Sequence, residues 1–596
     1  MPELPPLTLV QMLRRRATET PAGIALRQKD FGIWNPITWA EYYRRARAVA
    51  LGLRALGLPE GGHVGILSDN RVEWVLAQFG AGIAGGVAVG VYPTSPASEV
   101  AYVLGHADCR VVVCEDQEQA DKVLECQDRL PQLQRIVVID MKGLRGYPRD
   151  RIVSFAEVEA LGAGLDPAEV ERAVDAQTLD DVALMIYTSG STGKPKGAMI
   201  SWRNMRAEAA AMVERLGAGP GTSHLSYLPL CHVAEQMFTT MAPIYAGGMV
   251  NFGESLRTVQ EDLREVAPTS FLGVPRIWEK LHSSIHIKMI EAGGVRRWLF
   301  DRAIAACEPF AETPPAQRSL GQKLTFAVFS ALIFRALRNY IGLRKARVAM
   351  TGAAPISRRI VTFFRTIGVP VLEIYGLTET TGMVTGQYPG RTAPGCVGPA
   401  VEGAECRIGD LGELLVRGDL VFAGYYKNPE ATAASIRDGW LHTGDVVEMV
   451  DGQFRIVDRL KDIMITAGGK NLSPSEIENT VKASPYIKEC IVIGEGRKYV
   501  SALVQIDLDT VGKWAEEQGI AYTHFRSLAE NPAVRELVQR EIDAANGQLA
   551  QVSHVRKFHL LTKELDHDDD EVTATMKVRR SNIATKYATE IAGLYA

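Results

Sequence analysis

The stretch Tyr187-Thr-Ser-Gly-Ser-Thr-Gly-Lys-Pro-Lys-Gly-Ala-Met199 gathers four Ser/Thr hydroxyls, three glycines and two lysines. Glycine lets backbone N–H groups close on an anion, hydroxyls add donors, and lysine adds charge. That is the composition of a loop that wraps a polyphosphate. The apolar run Val182-Ala-Leu-Met-Ile186 before it reads as a buried strand. The loop is not of the Walker type, where Gly-Lys is followed by Ser/Thr and a helix. Here Pro195 follows Lys194; it has no N–H to give and biases Lys194 toward extended geometry. Gly/Ser/Thr clusters also make plain surface loops, so other residues must decide.

Four more strings lie in order behind the first: Tyr375-Gly-Leu-Thr-Glu-Thr380 after a strand-like run, Trp440-Leu-His-Thr-Gly-Asp-Val446, Asp458-Arg-Leu-Lys-Asp-Ile-Met-Ile-Thr-Ala-Gly-Gly-Lys-Asn-Leu-Ser-Pro-Ser-Glu-Ile-Glu478, and Thr573-Ala-Thr-Met-Lys-Val-Arg579. Together the five strings resemble the adenylate-forming superfamily over nearly the whole chain. Within it, Val274-Pro-Arg-Ile-Trp-Glu-Lys280, Tyr375-Gly-Leu-Thr-Glu-Thr-Thr-Gly382 and Asp438-Gly-Trp-Leu-His-Thr-Gly-Asp445 are similar to the long-chain fatty acyl-CoA synthetases.

The resemblance implies two half-reactions. A fatty carboxylate attacks the α-phosphate of Mg-ATP to give acyl-AMP and pyrophosphate; the thiol of coenzyme A then displaces AMP. It also implies roles. Thr188, Ser189, Gly190, Ser191, Thr192, Gly193 and Lys196 match the loop around the β- and γ-phosphates. Glu379 matches the Mg2+ ligand, with Thr188 assigned to the same ion, and Thr378 the hydroxyl facing the α-phosphate. Tyr375-Gly376 matches the ring against adenine, and Gly352-Ala353-Ala354 the strand end lining the adenine and carboxylate pocket. Asp445 matches the acceptor of both ribose hydroxyls, a task for an acceptor-only group. Arg459 matches the arginine near ribose and phosphate, and His232 the side chain beside the substrate carboxylate; a lone His there is also read as structural. Lys577 matches the lysine that bridges carboxylate and phosphate during adenylation, although Met576 stands where the superfamily's commoner Gly would be and Ala574 where long-chain members often carry Pro. Lys461 matches a hinge about which a small domain swings, after which Gly468-Gly469 would admit the pantetheine arm of coenzyme A.

The elements that must hold these residues follow from the rest of the chain. At 596 residues it exceeds one core and divides into at least two domains. Strand-like runs at 63–67, 87–91, 110–114 and 135–140 alternate with helical ones, the pattern of a parallel sheet covered on both faces. Residues 7–57 read as helices, 283–344 as a long basic helical segment, and Val233–Ala246 as an apolar pocket wall. From Val397 short alternating strands predict an antiparallel β module to about 458, with a hairpin turning at Asp451-Gly452. The fold class expected is α/β: a large N-terminal domain, 1–460, of parallel α/β sheets plus that module, and a small mobile α+β C-terminal domain, 461–596.

The net charge of -4 argues against nucleic acid. Eight cysteines form no Cys-x-x-Cys pair, which points to neither zinc nor disulfides but to a reducing cytoplasm. No signal pattern opens the chain and no charge-free stretch reads as a membrane span. Val75–Val91 reads as a buried helix running into a strand. Thr325–Phe334 reads as a core helix, with a membrane-facing patch as the other reading. Asp566–Glu571 reads as a solvated acidic loop. The expected partners are small molecules, with the protein a monomer or homodimer. The alternatives are a fatty acyl-AMP ligase, a CoA ligase for an aryl or steroidal acid, and a nucleotide-binding regulatory protein without chemistry. Intact Glu379, Asp445 and Lys577 stand against the last; Gly468-Gly469 and no appended carrier domain favour coenzyme A.

Overall fold

The computed structural model describes residues 6–188, 194–255, 257–566, 569–572 and 577–596. Its largest sheet has eight strands, in the spatial order Gly424–Tyr425, Lys196–Ser201, Val182–Thr188, Val87–Val91, His63–Leu67, Cys109–Cys114, Arg135–Val138 and Ile152–Ser154. From Val182–Thr188 outward to Ile152–Ser154 the pairing is parallel. All five residues of Val87–Val91 are buried, as expected for a strand with helices on both faces. The two strands at the other edge, Lys196–Ser201 and Gly424–Tyr425, run antiparallel to their neighbours. The sequence reading had no strand after the glycine-rich loop. The strands on either side of that loop, Val182–Thr188 and Lys196–Ser201, pair antiparallel.

A second sheet joins Ser270–Gly273, Val348–Thr351, Val371–Leu377 and Gly382–Gly386. The antiparallel module follows as Ala404–Ile408, Glu413–Gly418, Trp440–Val450 and Ile436–Arg437, with Gln453–Arg459 paired to Trp440–Val450. Farther along the chain, Ile487–Ile493, Val500–Ile506 and Val555–Leu560 form a three-stranded sheet with an apolar core of its own.

Three expectations are corrected. Residues 7–57 are not all helical: Ile24–Asp30 and Ile33–Thr38 form a hairpin between the helices Leu9–Glu19 and Trp39–Ala55. Phe31 and Gly32 turn it with φ 49° and 78°, the positive-φ pair that two-residue hairpins need. Leu26 also pairs in parallel with Val250, a long-range contact that local helical spacing cannot announce. Thr325–Phe334 is not a core helix. Ile333 and Phe334 are buried, but Val328 and Leu332 face water. The acidic loop is not uniformly solvated: Glu571 is fully buried, 2.9 Å from both Lys563 and Lys586, and accepts from Tyr587 at 2.8 Å.

Candidate active site

The glycine-rich loop leaves the large sheet where Thr188 lies opposite Lys196. Ser189, Gly190, Ser191, Thr192 and Gly193 lie outside the described residues. The flank of the loop is braced: the Tyr102 hydroxyl donates to the Pro195 carbonyl at 3.0 Å, and the Lys194 ammonium sits 5.0 Å from the Tyr102 ring centre. Lys196 turns the other way, its ammonium 5.0 Å from the ring centre of Tyr425 on the neighbouring edge strand.

Tyr425 links that lysine to Glu379. Its hydroxyl donates to Glu379 Oε1 at 2.6 Å, and the Phe422 N–H donates to the Glu379 carbonyl at 3.0 Å. Glu379 sits in a single 3-10 turn, Thr378–Thr380, between strands Val371–Leu377 and Gly382–Gly386. Thr380 pins this turn: it accepts from the Leu377 N–H at 2.8 Å and donates to the Gly382 carbonyl at 2.8 Å. The backbones meet so closely that a Cβ at Gly376 would lie 1.6 Å from the Gly382 oxygen, so only glycine fits there. Nothing in the sequence pattern flagged Tyr425; strand pairing alone brings it to Glu379. We expect Tyr425→Phe to keep the fold, lower acyl-adenylate formation about 3- to 10-fold, and raise the Mg2+ concentration for half-maximal rate. The scale is that of one hydrogen bond to a charged group, about 1.5–3 kcal/mol at most. A Mg2+ titration of pyrophosphate exchange checks it.

The antiparallel module delivers the next pair. Asp445 and Arg459 are direct cross-strand partners, with Arg459 Nε 3.0 Å from Asp445 Oδ1. The Tyr375 hydroxyl donates to Asp445 Oδ2 at 2.5 Å. Burial pushes the Asp445 carboxyl up, while Arg459, the Tyr375 hydroxyl and Lys577 pull it back; the net direction is upward. Lys577 is exposed to water, with protein atoms crowded around it and Arg459, Asp445 and Glu379 in its field. That crowding and the charge of Arg459 lower its pKa, and Asp445 and Glu379 oppose the shift.

His232 joins the same field. The segment around it runs hard against the large sheet: a Cβ on Gly90 would lie 2.8 Å from Cys231 Cα. Its Nδ1 accepts from the Ala234 N–H at 3.1 Å, capping the helix Val233–Gln236. Burial, then Lys577, lowers its pKa to about 4, so His232 is neutral at pH 7 and carries its proton on Nε2. Gly352, Ala353 and Ala354 follow the strand Val348–Thr351, with Ala353 at φ 67° in the turn. The wall Val233–Ala246 is one helical run interrupted by a π segment at Met237–Met241, a distortion frequent at functional sites. It is less apolar than its composition suggested: buried Glu235 accepts from Thr239 at 2.6 Å and from the Leu228 N–H at 3.1 Å.

Lys461 is exposed just past Arg459. Asp458, which the sequence reading left without a role, is buried and bridges across it. Oδ2 accepts from Ser473 Oγ at 2.7 Å and the Ser475 N–H at 3.1 Å; Oδ1 accepts from Ser475 Oγ at 2.9 Å and the Arg459 N–H at 2.8 Å. Gly468 and Gly469 are exposed at the tip of the hairpin Met464–Ile465/Asn471–Leu472. The hairpin is tied to the turn at 494–497, where the Ala467 N–H donates to the Arg497 carbonyl at 3.0 Å. The arrangement thus sets Lys577 in the field of Asp445, Arg459 and Glu379, and leaves the glycine pair exposed on its hairpin.

Among the described residues no group of three or more His, Cys, Asp or Glu side chains is placed to hold a metal. A single hard carboxylate is nonetheless a fitting donor for Mg2+, which takes one or two protein ligands and fills the rest with phosphate and water.

The fold and site belong to a recognisable class. The chain belongs to the AMP-binding enzyme family: that domain matches residues 13–426, and the AMP-binding enzyme C-terminal domain matches 461–596. The chain is 34% identical over 571 residues to the long-chain-fatty-acid–CoA ligase FadD15 of Mycobacterium bovis, covering 95% of this chain and 93% of that one. It is 31% identical to the long-chain-fatty-acid–CoA ligase ACSBG2 of Xenopus laevis, covering 99% and 84%. Among solved structures, the adenylation domain of a carboxylate reductase from Mycobacterium chelonae matches with TM-score 0.78 at 21% identity, covering 100% of this chain and 92% of that one. The anthranilate CoA ligase AuaEII in complex with anthranoyl-AMP matches with TM-score 0.74 at 22% identity, covering 99% of both chains. These two share the fold.

Proposed function

We propose that this protein is a long-chain fatty acid–CoA ligase that works in two steps at one cleft. The observation that carries the reading is the convergence of Lys577, Asp445, Arg459, Glu379 and His232 on one electrostatic neighbourhood, supplied by segments far apart in sequence. The names of the full-length relatives support the substrate class.

In the first step a carboxylate oxygen attacks the α-phosphorus of ATP, the P–O bond to the β-phosphate breaks, and pyrophosphate leaves. Two anions must meet, so the work is positioning and charge neutralisation. Lys577 is the cation that bridges the carboxylate and the α-phosphate. Neutral His232 offers its Nε2–H to the carboxylate without drawing it into a competing ion pair. Asp445 accepts the ribose hydroxyls, Tyr375 lies against adenine, and Thr378 faces the α-phosphate. Thr188, Lys196 and the loop between them hold the β- and γ-phosphates. Glu379, with Thr188, would hold Mg2+, which supplies charge neutralisation on the phosphates when bound. In the second step the thiolate of coenzyme A attacks the acyl carbon and AMP leaves. The small domain, 461–596, turns about Lys461 between the steps and carries Gly468-Gly469 to the cleft. The protein acts in the cytoplasm as a monomer or homodimer, with peripheral access to membrane.

ATP–pyrophosphate exchange with a panel of carboxylic acids, with and without coenzyme A, tests the reading. Exchange that peaks with long acyl chains and yields thioester once coenzyme A is added is expected. Exchange without thioester would make it an acyl-AMP ligase; exchange that peaks with aryl or steroidal acids would replace the fatty substrate. Gly469, exposed at φ 71°, tolerates no side chain without backbone strain. Gly469→Leu is expected to slow thioester formation at least about tenfold, a cost of about 1.4 kcal/mol, while leaving exchange intact. Unchanged transfer to coenzyme A would remove the glycine pair from the thiol route.

A further inference from the structure

The segments Leu320–Phe329, Ser330–Phe334 and Arg335–Tyr340 join into one rod of 21 residues, long and apolar enough by composition to cross a membrane. One flank is anchored in protein. Ile333, Phe334 and Leu337 are buried, and the rings of Phe326 and Phe329 lie 6.0 and 6.4 Å from that of Phe334. The other flank faces out: Leu320 is 85% exposed, Leu324 67%, Val328 47% and Leu332 59%. Steps of four residues put these side chains on one face. Ala327 and Ala331 are exposed between them, so from Leu324 to Leu332 no polar group breaks the stripe over about 12 Å. Exposed Lys323 and Arg335 stand near its ends.

The adjoining helix Gly294–Cys307 exposes Val295 and Trp298, with Arg302 5.7 Å from the Trp298 ring and Arg296 and Arg297 exposed beside it. Residues 293–345 hold nine lysines and arginines against three carboxylates, in a chain of net charge -4. A helix packed on protein along one flank cannot be ringed by lipid, so this rod does not span a bilayer. It has the form of a helix that lies in the interface, apolar face down and cations at headgroup level. Exposed Trp298 is of a residue type that settles at headgroup level.

We propose that this stripe, with Trp298 and the surrounding arginines, docks the protein on an anionic phospholipid surface. The proposal deepens the fatty-acid reading above, because long-chain acids partition into such a surface. Charge favours lipid over a second copy of the chain. A two-fold contact through this face would set Lys323, Arg335 and the helix arginines against their own equivalents, whereas anionic headgroups complement them.

Sedimentation of the full-length protein with phosphatidylcholine vesicles, with and without one-quarter phosphatidylglycerol, tests this. The wild type is expected to bind the anionic vesicles more than tenfold better than the neutral ones. Leu324→Asp/Leu332→Asp, at exposed positions, is expected to bind them at least tenfold more weakly while keeping wild-type exchange with a short water-soluble acid. Lys323→Glu/Arg335→Glu is expected to lose mainly the preference for anionic lipid. Absence of wild-type binding, or equal binding by Leu324→Asp/Leu332→Asp, would overturn the proposal. So would a concentration-dependent dimer in analytical ultracentrifugation that this variant dissociates. The exchange assay, free of lipid, reports separately on the chemistry.

Discussion

Lys577→Ala is expected to slow acyl-adenylate formation about 10²- to 10³-fold, on the scale of removing one preorganised charge from a developing transition state, about 2.7–4 kcal/mol. Transfer of the acyl group from supplied acyl-AMP to coenzyme A should stay within about threefold of wild type. The selectivity follows from the roles proposed: Lys577 serves only the step in which two anions meet. Exchange and single-turnover thioester assays on the same preparation read the two steps apart. Equal loss in both would mean that Lys577 serves the nucleotide throughout and that no swing removes it. A pH prediction accompanies the variant. The lysine must be protonated to act, and crowding together with Arg459 lowers its pKa. The alkaline limb of kcat/KM for adenylation, which reports the free enzyme, should therefore fall below the usual lysine range. Activity is lost as pH rises through that lowered pKa. Lys577→Arg, if active, should move the limb upward, because a guanidinium does not titrate there.

Asp445→Asn should behave differently, slowing both steps about 10²- to 10³-fold. The carboxylate is buried and holds Tyr375 at 2.5 Å and Arg459 at 3.0 Å, so it fixes both side chains, which the proposed function sets around the nucleotide, before any ligand arrives. The amide keeps the shape and removes the charge. It leaves Arg459 beside a neutral group and turns one acceptor into a donor. Losing one side of a buried hydrogen-bonded charge pair costs about 2–5 kcal/mol. AMP remains bound through both half-reactions, so both should suffer. A variant that lost exchange alone would show that Asp445 does not hold the ribose in the second step.

What was legible of this candidate site came from ordered strings, whose residues Glu379, Asp445, Arg459 and Lys577 the structure brings near one another. The loop at Tyr187–Met199 suggests an anion by its glycines, hydroxyls and lysines, and Tyr375–Gly382 a tight turn bearing one carboxylate, which is found at Thr378–Thr380. Alternating strands and helices likewise announced the parallel sheet. What stayed hidden depends on pairing between distant segments. Tyr425 reaches Glu379 only because Gly424–Tyr425 adds to the edge of the large sheet. Asp458 looked like one charge in a run, and its work shows only where Ser473 and Ser475 fold back on it. The hairpin at Ile24–Thr38 failed for the same reason, since its strand is held by Val250 more than 200 residues away. The rod at Leu320–Tyr340 failed for another: apolar spacing reports that a face avoids water, not which neighbour covers it.

The Asp458 bridge bears on the order in which substrates bind. Four hydrogen bonds converge on that buried carboxylate, three of them from Ser473 and Ser475 beyond Lys461. Any rotation about Lys461 exchanges those three for water, and a net value of about 1–3 kcal/mol would hold the ligand-free enzyme in its present form by about 5- to 150-fold. On the proposed roles, the resting enzyme would wait with Lys577 beside Asp445 and Glu379 and the thiol entrance unmade. ATP and acid would meet a finished site, whereas coenzyme A arriving early would find none. On the proposed roles, departure of pyrophosphate, which removes the anion that Thr188 and Lys196 would hold, would be the event that frees the bridge to open. Thioester synthesis would then be gated by the product of the step before it, and ATP would not be spent on a site already committed to the thiol.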